Sequence, residues 1–201
     1  MRALIPFMAA TIAASSVAAP AALIAQEATT RSEKAQIPAG HGTLKQDEFT
    51  VQLRSGPLLI KVTPLSETVI RMAAPDTYER LRALGESRRK EAASRSGSNE
   101  PQLFLVSFFS YQPDVPFQPE DLQLVHQGRP MRAVILPITP GWGTQRLKQQ
   151  DLQTAIYAFS DAIDYYTSLT VQYGTFQTDA WQQIISKLET ERNKILSRSG
   201  T

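Results

Sequence analysis

The segment from Pro101 to Tyr111 constrains the fold more than any other part of this sequence. It reads Pro-Gln-Leu-Phe-Leu-Val-Ser-Phe-Phe-Ser-Tyr and contains no charged residue. As a strand it carries large apolar side chains on both faces, with Leu103, Leu105 and Phe109 on one and Phe104, Val106 and Phe108 on the other. A strand that is apolar on both faces must be covered on both, so we expect it at the centre of a sheet.

A β-hairpin is predicted upstream of this strand, where folded structure is expected to begin near Glu48. Apolar and polar residues alternate from Phe49 to Arg54, which is the period of a half-buried strand. The sequence Arg54-Ser55-Gly56-Pro57 predicts a turn, and the apolar segment 58–63 predicts the returning strand. A third, short strand is predicted over residues 67–72.

The hydrophobic period then changes to that of a helix, which we expect over about residues 75–92. Pro75 stands in the first turn, where a missing N–H is tolerated. Tyr78, Leu81 and Leu84 fall on one face of this helix, as in a surface helix that packs along one side.

A proline-rich segment follows the central strand, with Pro113, Pro116 and Pro119 three residues apart. This spacing matches polyproline II, and such segments commonly cross between sheets. The segment 104–110 and the later Pro116-Phe-Gln-Pro-Glu-Asp-Leu resemble the sheet crossing of an immunoglobulin-like sandwich, although the Cys…Trp…Cys spacing of true immunoglobulin domains is absent. We therefore expect a small antiparallel β-sandwich over residues 48–140, with the helix inserted at about 75–92.

The C-terminal region is predicted to be a helical hairpin over residues 145–198, which makes the expected fold class α+β. An apolar stripe runs at spacings of four and three: Leu152, Ile156, Phe159, Ile163 and Tyr166. One long helix is expected from Gln145 to Val171, ending near Gly174. A second begins at Thr178 or Asp179 and packs antiparallel to the first.

The N-terminus predicts export. Arg2 is followed by 23 residues without a charge, Ala3 to Ala25, rich in alanine. This pattern is typical of a signal peptide over residues 1–25, cleaved after Ala25, and an uncleaved membrane anchor is the alternative. A flexible polar linker is expected over residues 26–47. No other segment predicts a membrane span, so none is expected after cleavage.

Few residues offer chemistry. The 201-residue chain has no cysteine, two histidines and a formal net charge of +2, which excludes thiol chemistry and argues against nucleic-acid binding. The adjacent Glu120 and Asp121, together with His126, are the candidates for a hydrolase. Neighbouring residues on a strand point to opposite faces, so the acids do not converge alone. No catalytic set, metal site or cofactor is predicted.

Aromatic residues offer candidate interaction sites. Trp142 lies between two glycines, and Tyr165, Tyr166 and Trp181 lie on the predicted helical hairpin. Such side chains anchor protein interfaces. The alternatives are that Trp142 fills the seam between sheet and helices, and that the helices pack on their own sheet.

These patterns favour an exported bacterial cell-envelope protein, periplasmic or extracellular, that acts without catalysis as a protein-interaction or scaffold module. The expected partner is another envelope protein or a second copy. Two alternatives stay open. One is a periplasmic hydrolase acting on envelope carbohydrate or peptide. The other is a small-ligand binding module with an apolar pocket beside Trp142.

Overall fold

The computed structural model describes residues 37–199, in which two strands, two helices, nine further strands and a final helix follow one another along the chain. The strands are β1 (Val51–Ser55), β2 (Leu58–Pro64), β3 (Gln102–Ser110), β4 (Val115–Pro116), β5 (Leu122–His126), β6 (Arg129–Met131), β7 (Val134–Pro137), β8 (Arg146–Leu147), β9 (Leu152–Phe159), β10 (Leu169–Tyr173) and β11 (Phe176–Thr178). The α-helices are α1 (Glu67–Ile70), α2 (Pro75–Ser96) and α3 (Trp181–Ser199). Short 3-10 helices span Gln46–Phe49, Pro119–Asp121 and Pro140–Thr144.

The strands form three sheets, and every paired strand in them is antiparallel. The largest sheet has the order β1-β2-β3-β9-β7, and a second has the order β11-β10-β5-β6. Strands β4 and β8 form a separate two-stranded pair. The fold is therefore a mixture of helices and antiparallel sheets with a helix at its C-terminal end.

Strand β3 lies at the centre of the five-stranded sheet, as its sequence predicts. Val106 is paired with Val62 of β2 on one side and with Ala155 of β9 on the other. The apolar side chains of β3 are buried on both faces from Leu103 to Phe108, and Phe109 is half-buried. Strand β3 thus links the N-terminal β1–β2 hairpin to strand β9.

Aromatic rings fill the space between the two larger sheets. The ring of Phe108 lies 5.0 Å from Phe117 and 5.9 Å from Tyr173 of β10, while Phe104 lies 5.9 Å from Tyr165. Tyr173 also accepts a hydrogen bond at its hydroxyl from the Gln118 N–H, at 2.8 Å. This arrangement does not confirm an immunoglobulin-like sandwich, because half of the second sheet comes from residues 169–178.

The inserted helix is confirmed, and the strand predicted before it is wrong. Helix α2 begins at Pro75 and ends at Ser96, where Gly97 at φ +69° lets its N–H reach the Ala93 carbonyl. Residues 67–72, predicted as a strand, contain the single-turn helix α1, whose Val69 and Ile70 are both buried. In the part of the chain that the structure describes, no helix is both long and apolar enough to cross a membrane.

The predicted helix from Gln145 to Val171 is wrong, and the helical hairpin does not form. This region contains β8, β9 and β10, and only the second predicted helix has a counterpart, in α3. In β9, residues 155–159 are all buried, because one face meets the aromatic core and the other meets α2. A strand buried on both faces loses the alternation of polar and apolar residues, so its sequence resembles that of a helix.

Folded structure also begins earlier than predicted. Ile37 and Leu44, within the expected linker, are 1% and 8% exposed. Leu44 donates its N–H to the Met72 carbonyl at 3.0 Å and accepts a hydrogen bond from Ala74 at 2.9 Å. Gly42 lies so close to the Met72 backbone that a Cβ there would overlap it. The remaining linker and the predicted signal peptide lie outside the described residues.

A buried carboxylate connects this N-terminal segment to the last helix. Glu191 of α3 is 1% exposed and accepts two hydrogen bonds from Thr43, from its N–H at 2.9 Å and its hydroxyl at 2.7 Å. The ammonium of Lys194 lies 3.6 Å from the same carboxylate. Residues that are 148 positions apart are thereby held together.

We expect Glu191→Ala to lower the free energy of unfolding by about 1–3 kcal/mol, because it removes charge-assisted hydrogen bonds and leaves the Thr43 N–H without its partner. Glu189→Ala is the matched control on an exposed position of α3, with an expected change within about 0.5 kcal/mol. Urea unfolding of both variants measures the difference. Equal effects would show that the Thr43 contact adds nothing to stability.

Candidate interaction surface

Trp142 is part of the core and is not a surface anchor. It lies in the 3-10 helix Pro140–Thr144 and is 8% exposed. Its ring contacts Phe108 at 5.7 Å and Phe117 at 5.5 Å, with Tyr157 at 6.5 Å. Trp142 therefore packs inside the aromatic core, as the alternative interpretation of its position expected.

Tyr165 and Trp181 are also buried, at 3% and 0% exposure. The indole N–H of Trp181 donates to the Tyr165 carbonyl at 3.0 Å, and the Tyr165 hydroxyl donates to the Gln102 side chain at 3.1 Å. Burial raises the pKa of Tyr165 above its ordinary value. Tyr166 is half-buried, and burial raises its pKa as well. Of the three candidate interaction residues on the predicted hairpin, Tyr165 and Trp181 therefore lie inside the core.

We expect both tryptophans to be shielded from water in the folded protein, because their indoles are packed against other rings. Fluorescence emission should lie at shorter wavelength than that of free tryptophan, and acrylamide should quench it weakly. Both properties should change together on unfolding in urea. Strong quenching before unfolding would contradict the burial of Trp142 and Trp181.

The candidate hydrolytic residues do not come together. Glu120 and Asp121 are exposed in the 3-10 helix before β5, and His126 ends that strand. A strand rises about 3.3 Å per residue, so Asp121 and His126 are separated by about 16 Å. The His126 Nε2 instead lies 3.0 Å from the Thr167 hydroxyl. Among the described residues, no group of three or more His, Asp or Glu side chains could hold a metal ion.

The structure shows an apolar surface elsewhere, on one face of the five-stranded sheet. The pairing of β1, β2, β3 and β9 places four residues side by side in one row: Arg54, Leu59, Phe109 and Leu152. A second row, two residues along each strand, contains Gln52, Lys61, Ser107 and Thr154. We call these two rows, with Tyr111, the open face.

Three of the four residues in the first row are apolar, and with Tyr111 they form a patch that is partly exposed to solvent. Leu152 is 49% exposed and Tyr111 is 64% exposed, while Leu59 and Phe109 are half-buried. The rings of Phe109 and Tyr111 meet edge to face at 4.7 Å. Cross-strand neighbours in a sheet lie about 5 Å apart, so these side chains form a continuous patch.

The position of α2 explains why this end of the sheet is uncovered. The next row on the same face contains Leu105, Ile156 and Leu136, which are 9%, 0% and 0% exposed. Helix α2 contacts β3, β7 and β9 and covers the sheet at that end. The open face begins where this cover stops.

The charge on the open face is positive. Its two rows contain the cations Arg54 and Lys61 and no acid. Lys61 lies 3.2 Å from the carboxylate of Asp47, which partly neutralises it. Arg54 is exposed and has no ion-pair partner among residues 37–199. The patch thus combines apolar side chains with one available guanidinium group.

Sequence reasoning missed this surface because it assigned two of its members elsewhere. Leu152 was assigned to the buried stripe of a helix, and Phe109 to a fully covered strand. One signal could have predicted it. On a single face of the strand, the polar Ser107 is followed by the aromatic residues Phe109 and Tyr111, and Pro113 then ends the strand pattern. Apolar residues at the end of a strand, beyond its polar neighbours, can project past the covering layer.

Comparison with known proteins gives no relative: no protein family, no curated protein and no solved structure matches this chain.

Proposed function

We propose that the protein is an exported bacterial cell-envelope protein that works by binding another protein through the open face. The observation that carries this proposal is the row of Leu59, Phe109 and Leu152 beside Tyr111, which exposes a continuous apolar patch. Contiguous apolar surface on a folded protein is typical of an interaction site. Aromatic residues and arginine, both present here, contribute most to binding energy at protein interfaces.

The charges favour a partner that is a different protein. A second copy would present the same open face, and its Arg54 and Lys61 would meet like charges with no acid in the rows to compensate. A partner with apolar side chains and an adjacent carboxylate complements the face, since Arg54 can bind a carboxylate through two hydrogen bonds. We therefore propose an acidic envelope protein as the partner.

We expect the double variant Tyr111→Ser/Leu152→Ser to weaken binding of the partner at least tenfold, because it removes most of the exposed apolar area. Arg54→Glu should weaken binding too, and salt should weaken binding to the wild type but not to that variant. The partner is first obtained by photo-crosslinking from p-benzoylphenylalanine at position 111 in intact cells. Binding is then measured with the purified proteins.

The matched control is Phe176, which is 47% exposed on β11 of the other sheet. Phe176→Ser should bind normally, and the photo-crosslinker at position 176 should not capture the same protein. Thermal unfolding should show that every variant folds, since substitutions at exposed positions change stability by only about 0.5 kcal/mol. Equal crosslinking from both positions, or crosslinking only between copies of this chain, would overturn the proposal.

Export is proposed from residues 1–25, where Arg2 precedes a long uncharged and alanine-rich segment. We expect the protein recovered from the envelope to begin at Gln26, because the small residue Ala25 precedes that bond. N-terminal sequencing and the intact mass check this. A chain that retains Met1 and fractionates with membranes would instead support the uncleaved anchor, and one recovered from the cytosol would contradict export.

A further inference from the structure

A shallow groove crosses the strands of the open face, between its apolar row and the part of the sheet that α2 covers. The floor of the groove is the second row, where Ser107 of β3 and Thr154 of β9 lie side by side. Both side chains are small and half-buried, and their hydroxyls share a hydrogen bond of 3.3 Å. Because these hydroxyls bond to each other, they can be covered without losing a partner.

The two ends of the groove differ in chemistry. At one end, Ile138 donates its N–H to the Thr154 carbonyl at 2.9 Å and so continues β7 by one residue. It follows Leu136 by two residues, which places it on the same face of the sheet, and it is 36% exposed. At the other end, over β1 and β2, lie the cations Arg54 and Lys61.

The dimensions of the groove match those of one helix. It crosses five strands, a width of about 19 Å, which is the length of about 13 helical residues. The second and first rows lie about 7 Å and 13 Å along the strands from the row beneath α2. A helix seated between these rows would be about 10 Å from that covered row, close to the spacing at which helices pack side by side.

The size of the surface also favours a single segment of the partner. Its flat area, on the order of 250 Å², is about a third of what each protein contributes to a standard interface. Strands β2 and β3 are paired on both sides within the sheet, so a partner strand would gain no backbone hydrogen bonds from them. Binding must therefore use side chains.

From these dimensions we infer that the groove binds one amphipathic helix of the partner, laid across the strands beside α2. Apolar residues at i and i+7 of a helix are about 10.5 Å apart, and Leu59 and Leu152 are about 10 Å apart across β3. A carboxylate at one end of the helix meets the cationic end of the groove. The inference rests on the proposed function and adds the kind of segment that the open face binds.

The inference is tested with two fluorescent peptides of the same composition and of about 15 residues. One has leucines at i, i+4 and i+7 followed by glutamate, and the other has its leucines at i, i+2 and i+4. Fluorescence anisotropy with the full chain should show the first peptide binding at least tenfold more tightly, and its circular dichroism should become more helical on binding. Equal binding of the two peptides, or no binding of the first, would overturn the inference.

Two substitutions at one position test the groove itself. Ser107→Leu adds apolar area but fills the floor, so it should weaken binding of the helical peptide at least tenfold. Ser107→Ala is the matched control, since it keeps the floor low and should bind within about twofold of wild type. Unchanged or tighter binding by Ser107→Leu would reject the groove. Thermal unfolding checks that both variants fold, and the exposed Ile138→Asp, which should also weaken binding, provides the test if Ser107→Leu does not.

Photo-crosslinking separates this inference from the proposed function. Crosslinks from positions 111, 138 and 152 should map to one segment of about 15 residues in the captured protein. Crosslinks to segments far apart in that protein would reject a single helix and leave the proposed function standing. Capture of no protein, with the helical peptide still bound, would reject the proposed function and support helix binding by the groove.

Discussion

The structure depends on the pairing of β3 with β2 on one side and β9 on the other. This places the apolar strand from Leu103 to Phe108 at the centre of the largest sheet, where both of its faces are removed from water. Hydrophobic burial scales with area, so a strand covered twice contributes about twice what a half-buried strand does. The chain has no cysteine to provide cross-links, and burial of this kind must stabilise the fold.

Two different layers cover the two faces of that sheet, and the difference produces the proposed site. On one face, the rings of Phe104 and Phe108 pack against aromatics that include Tyr165 and Tyr173. On the other face, α2 covers the sheet only at the end of Leu105 and Ile156. The strands continue beyond the helix, and their last apolar residues form the open face.

Much of the fold could be predicted from sequence where the pattern was unambiguous. The β1–β2 hairpin, the double-faced strand β3 and helix α2 were recognised because each has a single period or an unbroken apolar segment. The helix predicted over residues 145–171 was wrong because β9 is buried on both faces. Its apolar residues Leu152, Ile156 and Phe159 match a helical spacing by coincidence. The open face was not predicted, since it joins residues from strands far apart in the chain.

By itself, the sequence determined which segments must leave water: the strand from Leu103 and one side of α2. It also determined the chemistry that the chain lacks, because no thiol is encoded. Only the tertiary structure decided what each apolar segment packs against and where the cover ends. The physical reason is that the hydrophobic effect has no direction. A hydrophobic pattern therefore specifies that a segment is buried. Which segment packs against it, in which strand register, and which apolar residues stay exposed are decided by the packing of the whole chain.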